Sequence, residues 1–155
     1  CLLWYRMTKA SPPVKEVDEK PPKPFNFPHS FTPQELSEFN GEKNLHSGNP
    51  VYVSVCGTVY DVTSHPSGRD LYGSEGTYHV FAGHEATVAL SSMSTEPDCL
   101  DKLPSTWQNF SLSQRQTIFD WIDKFNSKYD IVGYMKYDTA DENAIVKKWI
   151  TSNSQ

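Results

Sequence analysis

The run VYVSVCGTVYDV, Val51 to Val62, constrains the fold more than any other stretch of the chain. Val51, Val53 and Val55 alternate with Tyr52, Ser54 and Cys56, which is the two-residue period of a strand with one buried face. Gly57 interrupts the run, and a second strand-like segment follows at once. The stretch therefore predicts a short β-hairpin, with Cys56 as a small buried residue of an apolar strand.

Helical patterns surround this hairpin. Thr32-Pro33-Gln34-Glu35 reads as a capping box with proline at the first helical position, Leu36 and Phe39 supply an apolar face, and Asn40-Gly41 closes the helix. GHEATVAL, Gly83 to Leu90, looks helical. Ser113 with Gln116 three residues later starts another helix, along which Ile118, Ile122 and Phe125 recur at helical spacing beside Phe119 and Trp121. SKYDIVGYMKY, from Ser127, reads as loop and strand, and DENAIVKKWI as an amphipathic piece docking Ile145 and Trp149. Short strands between short helices make a small α+β domain.

The rest of the chain is of another kind. Six of the eleven prolines fall in residues 8–30, mixed with Lys and Glu, so this segment reads as an extended spacer. Its alternative reading is an arm that wraps a partner, anchored by Phe25 and Phe27. Ahead of it, CLLWYRM places aromatics and a basic residue after two leucines, the pattern of a membrane segment leaving the hydrocarbon. Residues 1–7 are thus read as the end of a membrane anchor, against the alternative of a hydrophobic terminus packed on the domain. A net charge of −5 argues against a nucleic-acid partner. Three widely separated cysteines argue against a disulfide framework and against a structural zinc site.

LYGSEGTYHVFAG, Leu71 to Gly83, carries the chemistry. No HxxxH or HExxH pair, GxSxG elbow or P-loop occurs in the chain. Tyr72 and Tyr78 remain. A phenol titrates near about 10 when free, but a ferric ion beside it stabilises the phenolate, and phenolate is a known haem ligand. Two tyrosines six apart are far more often ordinary core or surface aromatics, so spacing alone leaves both readings open. Tyr78 and adjacent His79 would point about 100° apart on a helix, and one iron cannot take both from one side.

Four motifs, FTPQELSEFNG, VYVSVCGTVYDVT, LYGSEGTYHVFAGHEAT and FNSKYDIVGYM, resemble in that order the membrane-associated progesterone receptor family. This is a branch of the cytochrome b5-like haem/steroid-binding domains that also includes neudesin and neuferricin. The resemblance runs from Phe31 to Met135 and implies a cytochrome b5-like domain over residues 31–136, with a short mixed sheet and several short helices forming a haem cleft. Residues 137–155 are then a C-terminal extension.

The resemblance makes Tyr78 the axial ligand of haem b, Tyr72 its hydrogen-bonding companion, and Lys128 and Tyr129 a pair that reaches the haem from the other side of the pocket. It also marks departures from cytochrome b5 itself, which holds haem between two histidines. His65-Pro66-Ser67-Gly68 lies too soon after Thr63 to supply the first, and no histidine lies near Thr95 to supply the second. His65 is instead a surface residue of an inserted loop over Ser64–Asp70, and His79 a rim residue. Ser74 and Thr77 stand where the family commonly has prolines, so the loop is less rigid.

The resulting expectation is a membrane-tethered, non-enzymatic haem-binding protein that delivers or buffers haem, or supports haem-thiolate monooxygenases and sterol metabolism. An open haem face would permit a haem-mediated homodimer. The endoplasmic reticulum is the expected membrane, with a mitochondrial membrane as alternative. The competing reading is a non-catalytic scaffold subunit of a larger membrane protein complex.

Overall fold

A computed structural model describes residues 28–153. The expected anchor, residues 1–7, and all but the end of the expected spacer lie outside the described residues. Four strands form one mixed sheet in the order β1-β4-β3-β2: β1 His29–Phe31, β2 Tyr52–Val55, β3 Thr58–Asp61 and β4 Asp130–Met135. Strand β1 begins inside the proline-rich stretch and runs parallel to β4, pairing His29 with Gly133 and Phe31 with Met135. The expected hairpin is present as antiparallel β2 and β3, and β3 pairs antiparallel with β4 across a bulge between Val59 and Tyr60.

Cys56 and Gly57 are the two-residue connection of that hairpin, with φ of 51° and 84°. Both being positive, the turn matches the right-handed twist of its strands, and glycine takes the second position without strain. Cys56 is buried as expected, but it sits in the turn and not in a strand.

Among the described residues there are five α-helices: α1 Pro33–Leu36, α2 Gly68–Tyr72, α3 Thr87–Ser91, α4 Leu112–Lys128 and α5 Ala140–Asn153. The α1 capping box is present, with Thr32 accepting from the Glu35 N–H and Glu35 reaching back. The helix stops at Ser37, before Phe39 and well before Asn40-Gly41, because Asn40 bridges to Val51 at the sheet edge. Helix α4 starts two residues ahead of the expected point. Ser111 accepts from the Gln114 N–H and Gln114 returns to the Ser111 N–H, so the capping box is this pair and not Ser113 with Gln116.

The largest difference concerns Gly83 to Leu90. Only Thr87 onward is helical, because the preceding residues pair with the exposed edge of β2. Ser54 N–H donates to the His84 carbonyl at 3.0 Å and Ala86 N–H to the Ser54 carbonyl at 2.9 Å. This draws Glu85 inward to 2% exposure. Its carboxylate accepts from the Ser54 hydroxyl (3.1 Å), the Thr87 hydroxyl (2.7 Å), the Thr87 N–H (2.8 Å) and, more weakly, the Gly57 N–H (3.4 Å). The Thr87 hydroxyl in turn accepts from the Cys56 N–H. One buried side chain thus ties the hairpin turn to the start of α3.

The C-terminal helix α5 packs back on the domain. Asn143 accepts from the Tyr137 N–H at 2.7 Å and donates to its carbonyl at 2.9 Å, fixing the entry to the helix. Val146 and Trp149 are buried, whereas Ile145 is only partly so, because i, i+3 spacing from Val146 faces the domain better than the expected pair. Trp149 meets Trp107 edge-on at 5.9 Å. Asn143→Ala should cost about 1–2 kcal/mol, two hydrogen bonds being lost at a half-buried site. A urea midpoint equal to that of the unaltered protein would contradict this. Among the described residues no helix is long and apolar enough to cross a membrane.

Candidate functional site

The loop from Leu71 to Tyr78 folds back on itself. Tyr78 N–H donates to the Leu71 carbonyl at 2.8 Å, and a Cβ on Gly76 would stand 2.1 Å from that same carbonyl. Gly76 is therefore required by the protein's own backbone. The closed loop sets Tyr72, at the end of α2, and Tyr78, at the entry to a 3-10 turn over His79–Phe81, side by side with ring centres 5.8 Å apart.

Helix α4 supplies the opposite wall. Trp121, Lys124, Phe125 and Lys128 fall at i, i+3, i+4 and i+7, so all four project along one stripe. The helix ends where Tyr129 turns extended, its N–H still donating to the Phe125 carbonyl, and the chain enters β4 at the next residue. Tyr129 is thereby pressed inward while Lys128 stays exposed. Between the two walls lies a cleft of about 240 Å³, lined by Leu71, Tyr72, Tyr78, Trp121, Lys124, Phe125, Lys128 and Tyr129.

The four residues expected at the site, Tyr72, Tyr78, Lys128 and Tyr129, all line this one cleft although about fifty residues separate the two pairs. Phe125, read from the sequence at one helical spacing with Ile118 and Ile122, and Trp121, named beside them, line it too, and so does Lys124, whose ammonium lies 5.0 Å from the Trp121 ring centre. Their helical stripe was the available signal.

The phenols differ in setting. Tyr72 is 2% exposed, and burial, reinforced by the Tyr129 and Tyr78 phenols, pushes its pKa well above the usual value. Burial raises Tyr129 as well. Both are therefore neutral hydroxyls that can donate. Tyr78 is half-buried, with its ring between Phe81 at 6.0 Å and the edge of Trp121 at 6.2 Å.

The histidines are engaged elsewhere. His79 Nδ1 lies 3.0 Å from the Tyr72 carbonyl and Nε2 lies 3.3 Å from Glu42, so both nitrogens are committed and the ring is absent from the cleft. His65 is partly exposed, its ring packing against Tyr129 at 6.1 Å while Nδ1 accepts from the Ser67 N–H. Part of the expected inserted loop is helix α2. Among the described residues no three His, Cys, Asp or Glu side chains converge as a metal site.

Residues 32–136 match the family described as cytochrome b5-like heme/steroid binding domain. A probable steroid-binding protein of Arabidopsis thaliana is 39% identical over 66% of this chain and 94% of its own length. The cytochrome P450 regulator dap1 of Schizosaccharomyces pombe is 36% identical over 66% of this chain and 60% of its own, so the chain spans less than two thirds of that relative. A solved Arabidopsis thaliana protein described as having a cytochrome b5 like fold superposes with a TM-score of 0.58 at 34% identity, covering 70% of this chain and 92% of that one. The motifs, the four-stranded sheet with its helices and these relatives agree: the chain belongs to the cytochrome b5-like haem/steroid-binding domain family, in the branch of the membrane-associated progesterone receptor components.

Proposed function

We propose that this protein binds haem b with Tyr78 as its axial ligand and is not itself an enzyme. One observation carries the reading: a half-buried phenol opens onto a cleft walled by four further aromatic side chains and rimmed by two lysines. The residues fit the group. Leu71 and Trp121 present apolar surface at the cleft, backed by the buried rings of Tyr72, Phe125 and Tyr129, while Tyr78 offers a hard oxygen donor and Lys124 and Lys128 cations for carboxylates. At about 240 Å³ the cleft is smaller than the roughly 300–1,000 Å³ of enclosing ligand sites, so a haem held by these residues would extend beyond it. The part left outside would favour self-association through the haem.

When bound, ferric haem with a phenolate ligand supplies a hard, low-potential centre suited to storage or delivery rather than oxygen carriage. Tyr72 holds its proton and shares a hydrogen bond with Tyr129; with haem bound it would be the donor nearest the Tyr78 oxygen, and Lys128 would neutralise a carboxylate at the exposed edge. The fission-yeast relative is named a cytochrome P450 regulator, which supports a role in supplying haem to haem-thiolate monooxygenases or assisting them in sterol metabolism. Tethering by the N-terminal segment to the endoplasmic reticulum, with a mitochondrial membrane as alternative, completes the proposal.

Hemin titration followed by absorbance tests it. Tyr78→Phe should weaken hemin binding about 100-fold, a loss of about 2.7 kcal/mol. Equal affinity in both proteins would remove Tyr78 from the site. Absence of any Soret band in the unaltered protein, together with co-migration in a large membrane complex, would favour the scaffold reading.

A further inference from the structure

A second cavity lies away from the tyrosine cleft and shares none of its lining residues. The family match ends at residue 136, and α5 lies wholly beyond it. Where α5 packs against α4 it encloses about 280 Å³, with Arg115 and Phe119 from one helix and Ile145, Lys148, Trp149 and Ser152 from the other. One wall of the cavity is thus a segment that lies beyond the matched domain.

Its chemistry is one-sided. The Arg115 guanidinium carbon sits 5.6 Å from the Trp149 ring centre, a cation held over an indole face. Trp149 is 7% exposed and fixed from behind by Trp107, so it makes a rigid floor. Phe119, 38% exposed, leaves apolar surface at the mouth. No carboxylate lines the cavity among the described residues, although the whole chain carries a net charge of −5. One cation held over an indole face and a second, Lys148, in the lining complement a molecule with an apolar body and an anionic head.

We propose that this cavity binds a small anionic amphiphile, with an aromatic ring or short acyl chain against Phe119 and Trp149 and a carboxylate, sulfonate or phosphate on Arg115 and Lys148. The guanidinium fork matches two oxygens of such a head, and the lysine adds a second charge. The volume selects a compact body. Binding here is independent of haem and of the Tyr78 reading.

The probe is 8-anilinonaphthalene-1-sulfonate, titrated into the full chain and followed by amide and indole nuclear magnetic resonance. Saturable shifts of the Trp149 indole N–H and the Arg115 side chain are expected. The apparent affinity should fall about tenfold in Arg115→Gln and in Lys148→Gln, and about tenfold for neutral N-phenyl-1-naphthylamine. Lys148 is exposed, so its variant decides the matter should Arg115→Gln loosen Trp149. Shifts centred on Tyr78 and Trp121, equal affinity in both variants, or equal binding of the neutral compound would overturn the proposal. So would shifts seen with phosphatidylserine vesicles but not with the free probe, since the surface would then be a membrane contact.

Discussion

Gly68→Ala is expected to destabilise the domain by about 3 kcal/mol or more and to weaken hemin binding with it. Gly68 opens α2, and a Cβ there would lie 1.5 Å from the Val62 carbonyl oxygen and 2.5 Å from its carbon. These are backbone atoms of the 3-10 turn over Val62–Ser64, which follows β3 directly and cannot swing away as a side chain would. Relief requires α2 to move off the Val62–Ser64 turn, and α2 carries Leu71 and Tyr72, one wall of the cleft. Stability and hemin affinity should therefore fall together in urea unfolding and absorbance titration. A variant within 1 kcal/mol of the parent that binds hemin equally would show that the contact yields.

Loss of the buried carboxylate should have an effect of the same order. Glu85→Ala leaves the Ser54 hydroxyl, the Thr87 N–H and the Thr87 hydroxyl without their acceptor in the interior. Each stranded donor costs about 1–3 kcal/mol, and donors that converge on one site do not add in full, so a total of about 3–5 kcal/mol is expected. Burial also pushes the Glu85 carboxyl up to about 7, against hydrogen bonds from Thr87, Ser54 and Gly57 that pull it down. A carboxyl that binds its proton more tightly folded than unfolded favours the folded state most at low pH. Its contribution is full below the ordinary carboxyl range near 4.5 and is lost as pH rises through about 7. The difference in unfolding free energy between Glu85→Gln and the parent should shift by about 3 kcal/mol between pH 4.5 and 7.5, with the parent losing ground. Parallel pH profiles would show that burial does not raise the Glu85 carboxyl above its unfolded range.

Neither effect was visible in the sequence, and the reason is the same for both. Gly68 and Glu85 owe their roles to residues of the hairpin and its exit, and no local pattern reports contacts of that kind. Glu85 even reads as a helical residue, because GHEATVAL has helical composition. Pairing with the open edge of β2 overrides that preference. Local chemistry was legible where it was self-contained. The alternating valines give the hairpin, and Thr32 with Glu35 gives the first helix. The start of α4 was misplaced because two serines two residues apart each have a glutamine three residues on, and only the geometry selects Ser111.

The site divides similarly. That Tyr72 and Tyr78 are neighbours follows from a glycine loop closing on itself, which the sequence hints at. That Lys128 and Tyr129 join them depends on α4 crossing the cleft, and only the family resemblance supplied it. The stripe Trp121, Lys124, Phe125 and Lys128 was readable as one face of a helix. Its periodicity marks one face of a helix, however, and does not distinguish a core-packing face from the wall of a cleft.

The central claim, ligation of ferric haem by the Tyr78 phenolate, is tested most directly by resonance Raman spectroscopy of the hemin complex. The unaltered protein should show high-spin ferric haem with phenolate ring modes. Those modes should persist in Tyr72→Phe and His79→Ala and vanish in Tyr78→Phe. A low-spin bis-histidine spectrum in the unaltered protein, or phenolate modes that survive Tyr78→Phe, would contradict it.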